Sequence, residues 1–393
     1  MATHQMIAFL LLALSIITEA SSSTIVNPSS QCYTSLFSFG DSATAAGIYT
    51  KDLAPGTESP HCAFTPYGET YFHRPTGRCS DGRNIVDFLA QHLGLPLLPP
   101  YHGEYPSANS TSFLQGANFA VVSATVLDFE FLKGRGIVSC QNCSLSVQLA
   151  RFKTLLGTLC STPLECREYL KSSLILLGEI GGVDYMRAAF ENLDSGGDVV
   201  EELMPIVVGR IGSAIEEMIK LGAVHFLVPG DFPKGCFPAY LTQFQTTNRS
   251  DYDALTGCLI RHNGVSSSHN AMLRDEIQRV QNLHPDVSIH YADYYGPSIR
   301  MHQDPIKYGM GRATVNQACC GAGGPYNYDP SAVCGRPGAV ACEDPKSYVM
   351  WDDHHCTEAA NAVIAAEVVR GPSFGLGCGR GKQPAPESFT AAE

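Results

Sequence analysis

Charge is scarce in this chain of 393 residues: 16% are Asp, Glu, Lys or Arg, too few for a coiled coil, and no stretch gathers five Lys/Arg in a row. With a formal net charge of −12 the chain lacks the electrostatic footprint that phosphate backbones select, so no nucleic-acid partner is expected. Beyond the N-terminus no apolar run reaches about eighteen residues, so no membrane span is expected either. Internal repeats and long linkers are also missing. The hydrophobic fraction of 44% is enough for a sizeable core, and residues 24–393 read as a single domain with a flexible glycine-rich tail from about 375.

The first 23 residues stand apart. Residues 1–5 are short and polar, 7–17 are apolar except Ser15, and Glu19-Ala20-Ser21-Ser22 supplies small residues for cleavage. This pattern is expected to be a secretory signal peptide, which places the protein outside the cell or in a vacuole. Fifteen cysteines suit the same oxidising route. Six of them, at 319, 320, 334, 342, 356 and 378, crowd a loop-rich C-terminal stretch and are expected in disulfides. Cys140 and Cys143 are expected to form a local disulfide, and the odd total leaves at least one thiol free. The sequons at Asn109, Asn142 and Asn248 are expected to lie on glycosylated surface loops.

Short runs rich in branched and aromatic residues at 36–39, 173–177, 224–228 and 287–291 alternate with amphipathic stretches at 84–93, 199–221, 255–282 and 357–369. That alternation predicts a parallel sheet covered by helices on both faces, with ligands at the carboxyl ends of the strands. The glutamate pairs 201–202 and 216–217 fall on a helix whose other face is apolar and read as solvated charges.

The first strand runs into Gly40-Asp41-Ser42, a turn that would expose a serine at the sheet edge. Such a turn also occurs with no catalytic role. A serine nucleophile needs a base, and Trp351-Asp352-Asp353-His354-His355 supplies one before the last helix. Asp352 and His355, three residues apart on a turn, can share one side, so the carboxylate can hold the imidazole in the tautomer that accepts the serine proton. The His354-His355 pair also suggests a metal, but no third ligand follows at a zinc spacing, and neither metal nor cofactor is expected.

These two ends, together with the blocks Thr76-Gly77-Arg78-Cys79-Ser80-Asp81-Gly82-Arg83-Asn84, Gly116-Ala117-Asn118-Phe119-Ala120, Gly178-Glu179-Ile180-Gly181-Gly182, Val228-Pro229-Gly230, Tyr291-Ala292-Asp293-Tyr294-Tyr295 and Ala318-Cys319-Cys320-Gly321, resemble the plant GDSL-type esterase/lipases of the SGNH hydrolase superfamily. The resemblance implies a three-layer, flavodoxin-like α/β sandwich and an acyl-serine mechanism with Ser42 as nucleophile, His355 as base and Asp352 as its orienting partner. It implies a carboxylic ester substrate and, in some members, an alcohol as acyl acceptor; the lack of a long apolar flap favours a small, soluble ester over a lipid surface.

It also implies an oxyanion hole at Ser42, Ser123 and Val183, and here the chain departs from the family. Ser123 stands where a glycine amide is usual, and Val183 where an asparagine donates its side chain. Ala45, Ile48 and Asp231 replace an Asp and two Asn residues as well. Valine has no donor, and one missing oxyanion donor typically costs about 10²–10³ in turnover. Two functions follow: a secreted ester hydrolase or acyltransferase with a weakened or rebuilt oxyanion hole, or a protein of the same fold repurposed for binding or a non-hydrolytic activity.

Overall fold

The computed structural model describes residues 33–47, 59–101, 113–191 and 196–371. The proposed signal peptide, Ile48, Asn109, Cys378 and the C-terminal tail lie outside them. Five strands, β1 (Ser35–Phe39), β2 (Gly116–Asn118), β3 (Ser173–Leu177), β4 (His225–Pro229) and β5 (Ser288–Ala292), form one sheet in the order β2-β1-β3-β4-β5, every neighbouring pair parallel. A two-stranded antiparallel ribbon, β6 (Cys320–Gly321) and β7 (Val340–Ala341), lies near the C-terminus. The helices are α1 (Ile85–His92), α2 (Phe129–Lys133), α3 (Leu145–Leu159), α4 (Pro163–Lys171) and α5 (Gly182–Glu191). They continue with α6 (Gly196–Leu221), α7 (Pro238–Gln243), α8 (Ile260–Leu283), α9 (Tyr295–Gln303) and α10 (Glu358–Arg370).

The period-two geometry of a strand sends alternate side chains to opposite faces, and both faces of this sheet are apolar. Phe37 and Phe39 of β1, Ile175 and Leu177 of β3, and Phe226 and Val228 of β4 enter one core, with Phe152 of α3, Val207, Ile211 and Ile215 of α6, and Leu273 of α8. Leu36, Leu174, Leu176 and Leu227 enter the other, against Phe88 and Leu89 of α1, Met301 of α9, and Ile364 and Val368 of α10. This is the expected three-layer sandwich. The strand order turns about β1, so the crevice between the carboxyl ends of β1 and β3 is the topological switch point where such folds bind ligands.

The four strand-like runs of the sequence all lie within one residue of observed strands. The third helical stretch starts later than expected, at Ile260, because the preceding segment is fixed by the Cys236–Cys258 disulfide and a bridge between Tyr252 and Leu259. Five disulfides join described residues, including Cys140–Cys143, Cys319–Cys342 and Cys320–Cys334. Cys356, expected in a disulfide, is instead a buried free thiol between the His355 turn and α10, as are Cys62 and Cys79. Asn142 and Asn248 are exposed. The glutamate pair 201–202 is exposed, whereas Glu216 and Glu217 form surface ion pairs with Arg279 and Lys153. No helix among the described residues is long and apolar enough to cross a membrane.

Candidate active site

The residues that follow four strand ends converge on one cavity of about 380 Å³, a size suited to a small metabolite. Ser42 comes from the turn after β1, Ser123 from the loop after β2, Glu179 and Val183 from the β3–α5 junction, and Lys234 from the loop after β4. His355 arrives from the turn before α10.

The Ser42 turn is held from several directions. Gly40 takes a φ of +143°, and a Cβ there would meet the Glu179 carbonyl oxygen at 2.9 Å, so glycine alone fits. Its N–H donates to Gln148 Oε1 at 2.9 Å and its carbonyl accepts from Gln148 Nε2 at 2.8 Å. Asn118 Nδ2 donates to the Thr44 carbonyl at 2.8 Å, and Asn84 Nδ2 to the Ala45 carbonyl at 2.9 Å. Arg78 pairs with both Asp87 oxygens at 2.7 Å and also donates to the Ala46 carbonyl. The Arg78–Asn84 block thus steadies the Ser42 turn. It also reaches the other terminus, because Asp81 Oδ1 accepts from the Glu358 N–H at 2.7 Å and Arg83 pairs with the Glu358 carboxylate.

Ser42 Oγ lies 2.8 Å from His355 Nε2, and His355 Nδ1 lies 2.8 and 2.9 Å from the two Asp352 oxygens. With the Nδ1 proton facing Asp352, Nε2 is left free to accept from the serine hydroxyl. Asp352 is fully buried and receives three further donors: the N–H groups of His354 at 2.9 Å and His355 at 2.7 Å, and the Tyr67 hydroxyl at 2.6 Å. Burial alone would raise the Asp352 carboxyl, but the His355 ring outweighs it and holds Asp352 well below the ordinary carboxylate range. Burial disfavours charge on His355 too, yet the Asp352 carboxylate prevails and lifts the ring to about 9. Such a relay can take a proton from Ser42 Oγ and return it to a leaving group.

Ser123 adopts a φ of +64°, the left-handed region that favours glycine. The residue that replaces glycine therefore keeps a glycine-like backbone, and it lines the cavity. Val183, almost fully buried, puts only methyl groups on the lining where the resemblance leads one to expect an amide. The next residue, Asp184, accepts from the N–H groups of Val126 and Leu127 at 2.8 and 3.0 Å, tying α5 to the Ser123 loop; burial lifts its carboxyl to about 7.

A buried charge cluster adjoins the same cavity. The Lys234 ammonium contacts Asp231 and lies 3.9 Å from Glu179, and burial lowers its pKa. Burial and the adjacent Glu179 carboxylate push the Asp41 carboxyl well up. The sequence flagged Asp231 only as a departure and missed Lys234, Gln148 and Tyr67. Their one sequence signal is a polar residue in an otherwise buried pattern.

A third metal-capable group does come close in space. His61, Cys79 and His355 offer ligand atoms within 4.8 Å of one another, as do His61, Asp352, Asp353 and His355. Both sets draw on His355, whose two ring nitrogens are engaged by Ser42 and Asp352.

The family profile of GDSL-like lipase/acylhydrolases matches residues 36–368. A GDSL esterase/lipase of Arabidopsis thaliana is 45% identical over 369 residues, covering 94% of this chain and 92% of the relative. The sinapine esterase of Brassica napus is 48% identical over 347 residues, covering 88% and 87%. A second Arabidopsis thaliana GDSL esterase/lipase is 47% identical over 351 residues, covering 89% and 87%. Agreement over nearly the whole length, on the fold these blocks build, makes this chain a member of the GDSL-like lipase/acylhydrolase family, an enzyme of the carboxylic ester hydrolase class.

Proposed function

We propose that the protein is a secreted serine esterase that cleaves a small metabolite ester through an acyl-Ser42 intermediate. The observation that carries this reading is the continuous Ser42–His355–Asp352 relay, with 2.8 Å at the serine and 2.8–2.9 Å at the carboxylate. Ser42 Oγ attacks the ester carbonyl as its proton passes to His355 Nε2. The tetrahedral oxyanion is received by the N–H groups of Ser42 and Ser123. The intermediate collapses, and His355 returns the proton to the departing alkoxide, releasing the alcohol. Water, deprotonated by the same ring, then attacks the acyl-enzyme; the second tetrahedral intermediate collapses, the bond from Ser42 Oγ to the acyl carbon breaks, and His355 returns the proton to Ser42 Oγ as the acid leaves. An alcohol entering in place of water would receive the acyl group by the same steps.

Export rests on the apolar run at 7–17 and on the five disulfides of the described residues. The cavity volume supports a small ester. The relative named sinapine esterase supports a plant-metabolite ester as the class to try first.

Val183 favours a second reading, a binding protein without turnover, because it takes a donor from the oxyanion site. A fluorophosphonate probe separates the two. Wild-type protein is expected to gain one covalent label, located at Ser42 by peptide mass, while Ser42→Ala gains none. An unlabelled wild type would support binding, and full labelling of His355→Ala would show that His355 is not the base.

A further inference from the structure

One face of α5 lines the cavity. Val183, Met186, Arg187 and Phe190, spaced three to four residues apart, all contribute to the wall. Three of these are apolar and Arg187 is the basic one; Glu191, four residues further on, also lines the cavity. The Arg187 Nε is buried without a hydrogen-bond partner, and among the described residues its guanidinium makes no ion pair. The other fixed cation of the wall, Lys234, is held by Asp231 and Glu179.

Two of the carboxylates on the same wall already have protein partners. Glu191, one turn along α5, accepts from the Val138 N–H at 2.8 Å, and Asp353 lies 2.8 Å from His354 Nδ1. An unpaired guanidinium half withdrawn from water is a costly feature unless a ligand completes it. Its planar fork of donors matches a carboxylate.

We propose that Arg187 is a substrate-binding residue that receives a carboxylate, so that the ester this enzyme recognises is an anion. The proposal rests on the reading that Ser42 attacks the ester in this cavity. Arg187 follows Val183 by four residues, about 6 Å along the helix axis. The carboxylate therefore sits only a few bonds from the reacting carbonyl. It could belong to the acyl part, as in a half-ester of a dicarboxylic acid, or to the alcohol part.

Two matched pairs of probes distinguish these sources. On the acyl side, 4-nitrophenyl hydrogen glutarate is compared with 4-nitrophenyl methyl glutarate; on the alcohol side, 4-carboxyphenyl butanoate is compared with its methyl ester. In one pair the wild type is expected to prefer the charged member in kcat/KM by about ten- to a hundredfold. Arg187→Met should reduce that preference to about twofold or less, and Arg187→Lys should keep part of it.

The same probes titrated calorimetrically into Ser42→Ala and Ser42→Ala/Arg187→Met give the corresponding ratios of Kd without turnover. If the wild type hydrolyses none of the four probes, the esterase reading fails while the Kd ratios still judge Arg187. Absence of any charged preference in both kinetics and binding, or a preference that survives Arg187→Met, would overturn the proposal.

Discussion

Tyr67 donates its buried hydroxyl to Asp352 Oδ2 across 2.6 Å, on the same carboxylate that orients His355. The tyrosine thus takes part of the charge that would otherwise bear on the imidazole alone. In Tyr67→Phe the carboxylate loses a charge-assisted hydrogen bond, worth about 1.5–3 kcal/mol in this setting. We expect kcat to fall several-fold and the acidic limb of the pH profile to move upward, since Asp352 then acts more fully on His355. Rate profiles of the two proteins on 4-nitrophenyl acetate check both effects.

The wild-type profile has a sign of its own. His355 accepts a proton only when neutral, and the Asp352 carboxylate raises its pKa to about 9. Activity should therefore be lost as pH falls, along a limb that lies above the ordinary imidazole value of about 6.5. Asp352→Asn should move the limb down and lower kcat by about 10⁴-fold, by analogy with removal of the orienting charge in other serine hydrolases. A limb below 6.5 in the wild type would contradict the relay.

Val183 and Ser123 make separate predictions. An asparagine at 183 adds a donor beside the oxyanion, and Val183→Asn is expected to raise kcat on an activated ester by about 10²-fold. Ser123 holds a φ of +64°, so Ser123→Gly should relieve left-handed strain and stabilise the fold by about 1 kcal/mol. Steady-state kinetics and urea denaturation of the two single variants and the double variant test both.

The buried charge cluster beside the cavity predicts a stability effect. Lys234→Met removes the ammonium that Asp231 contacts and Glu179 faces, and breaking a buried pair in this way costs about 3–5 kcal/mol. A buried carboxylate left alone takes up a proton more readily than in the unfolded chain. The deficit should therefore be largest near neutral pH and shrink as pH is lowered. Adding Asp231→Asn should recover part of it. Urea midpoints across pH 5–8 measure the dependence.

Four strands were legible because a parallel strand covered on both faces is apolar along its whole length, as in Ser173–Leu177. β2 was not, because Gly116-Ala117-Asn118 carries no branched or aromatic residue; it is a strand through its pairing with β1. α5 escaped periodicity as well, since Gly182 opens it and Arg187 interrupts its inner face. Ser42, Asp352 and His355 were legible because each sits in a turn whose residue types already suggest the chemistry. Tyr67 and Gln148 were not, being 285 and 108 residues from the groups they hold. Only the folded sheet brings them near.

The hydroxyl and the imidazole of the relay are 313 residues apart. A chain still being synthesised carries Ser42 almost from the start but has no His355 until its final part emerges. The last helix, α10, then has to dock against α1 before the two meet. On the proposed mechanism, hydrolytic competence is the last property the polypeptide gains. A product cut short before residue 355 would have most of the fold and no power over the esters of the cell that makes it, and two separately expressed pieces would become active only on reassembly.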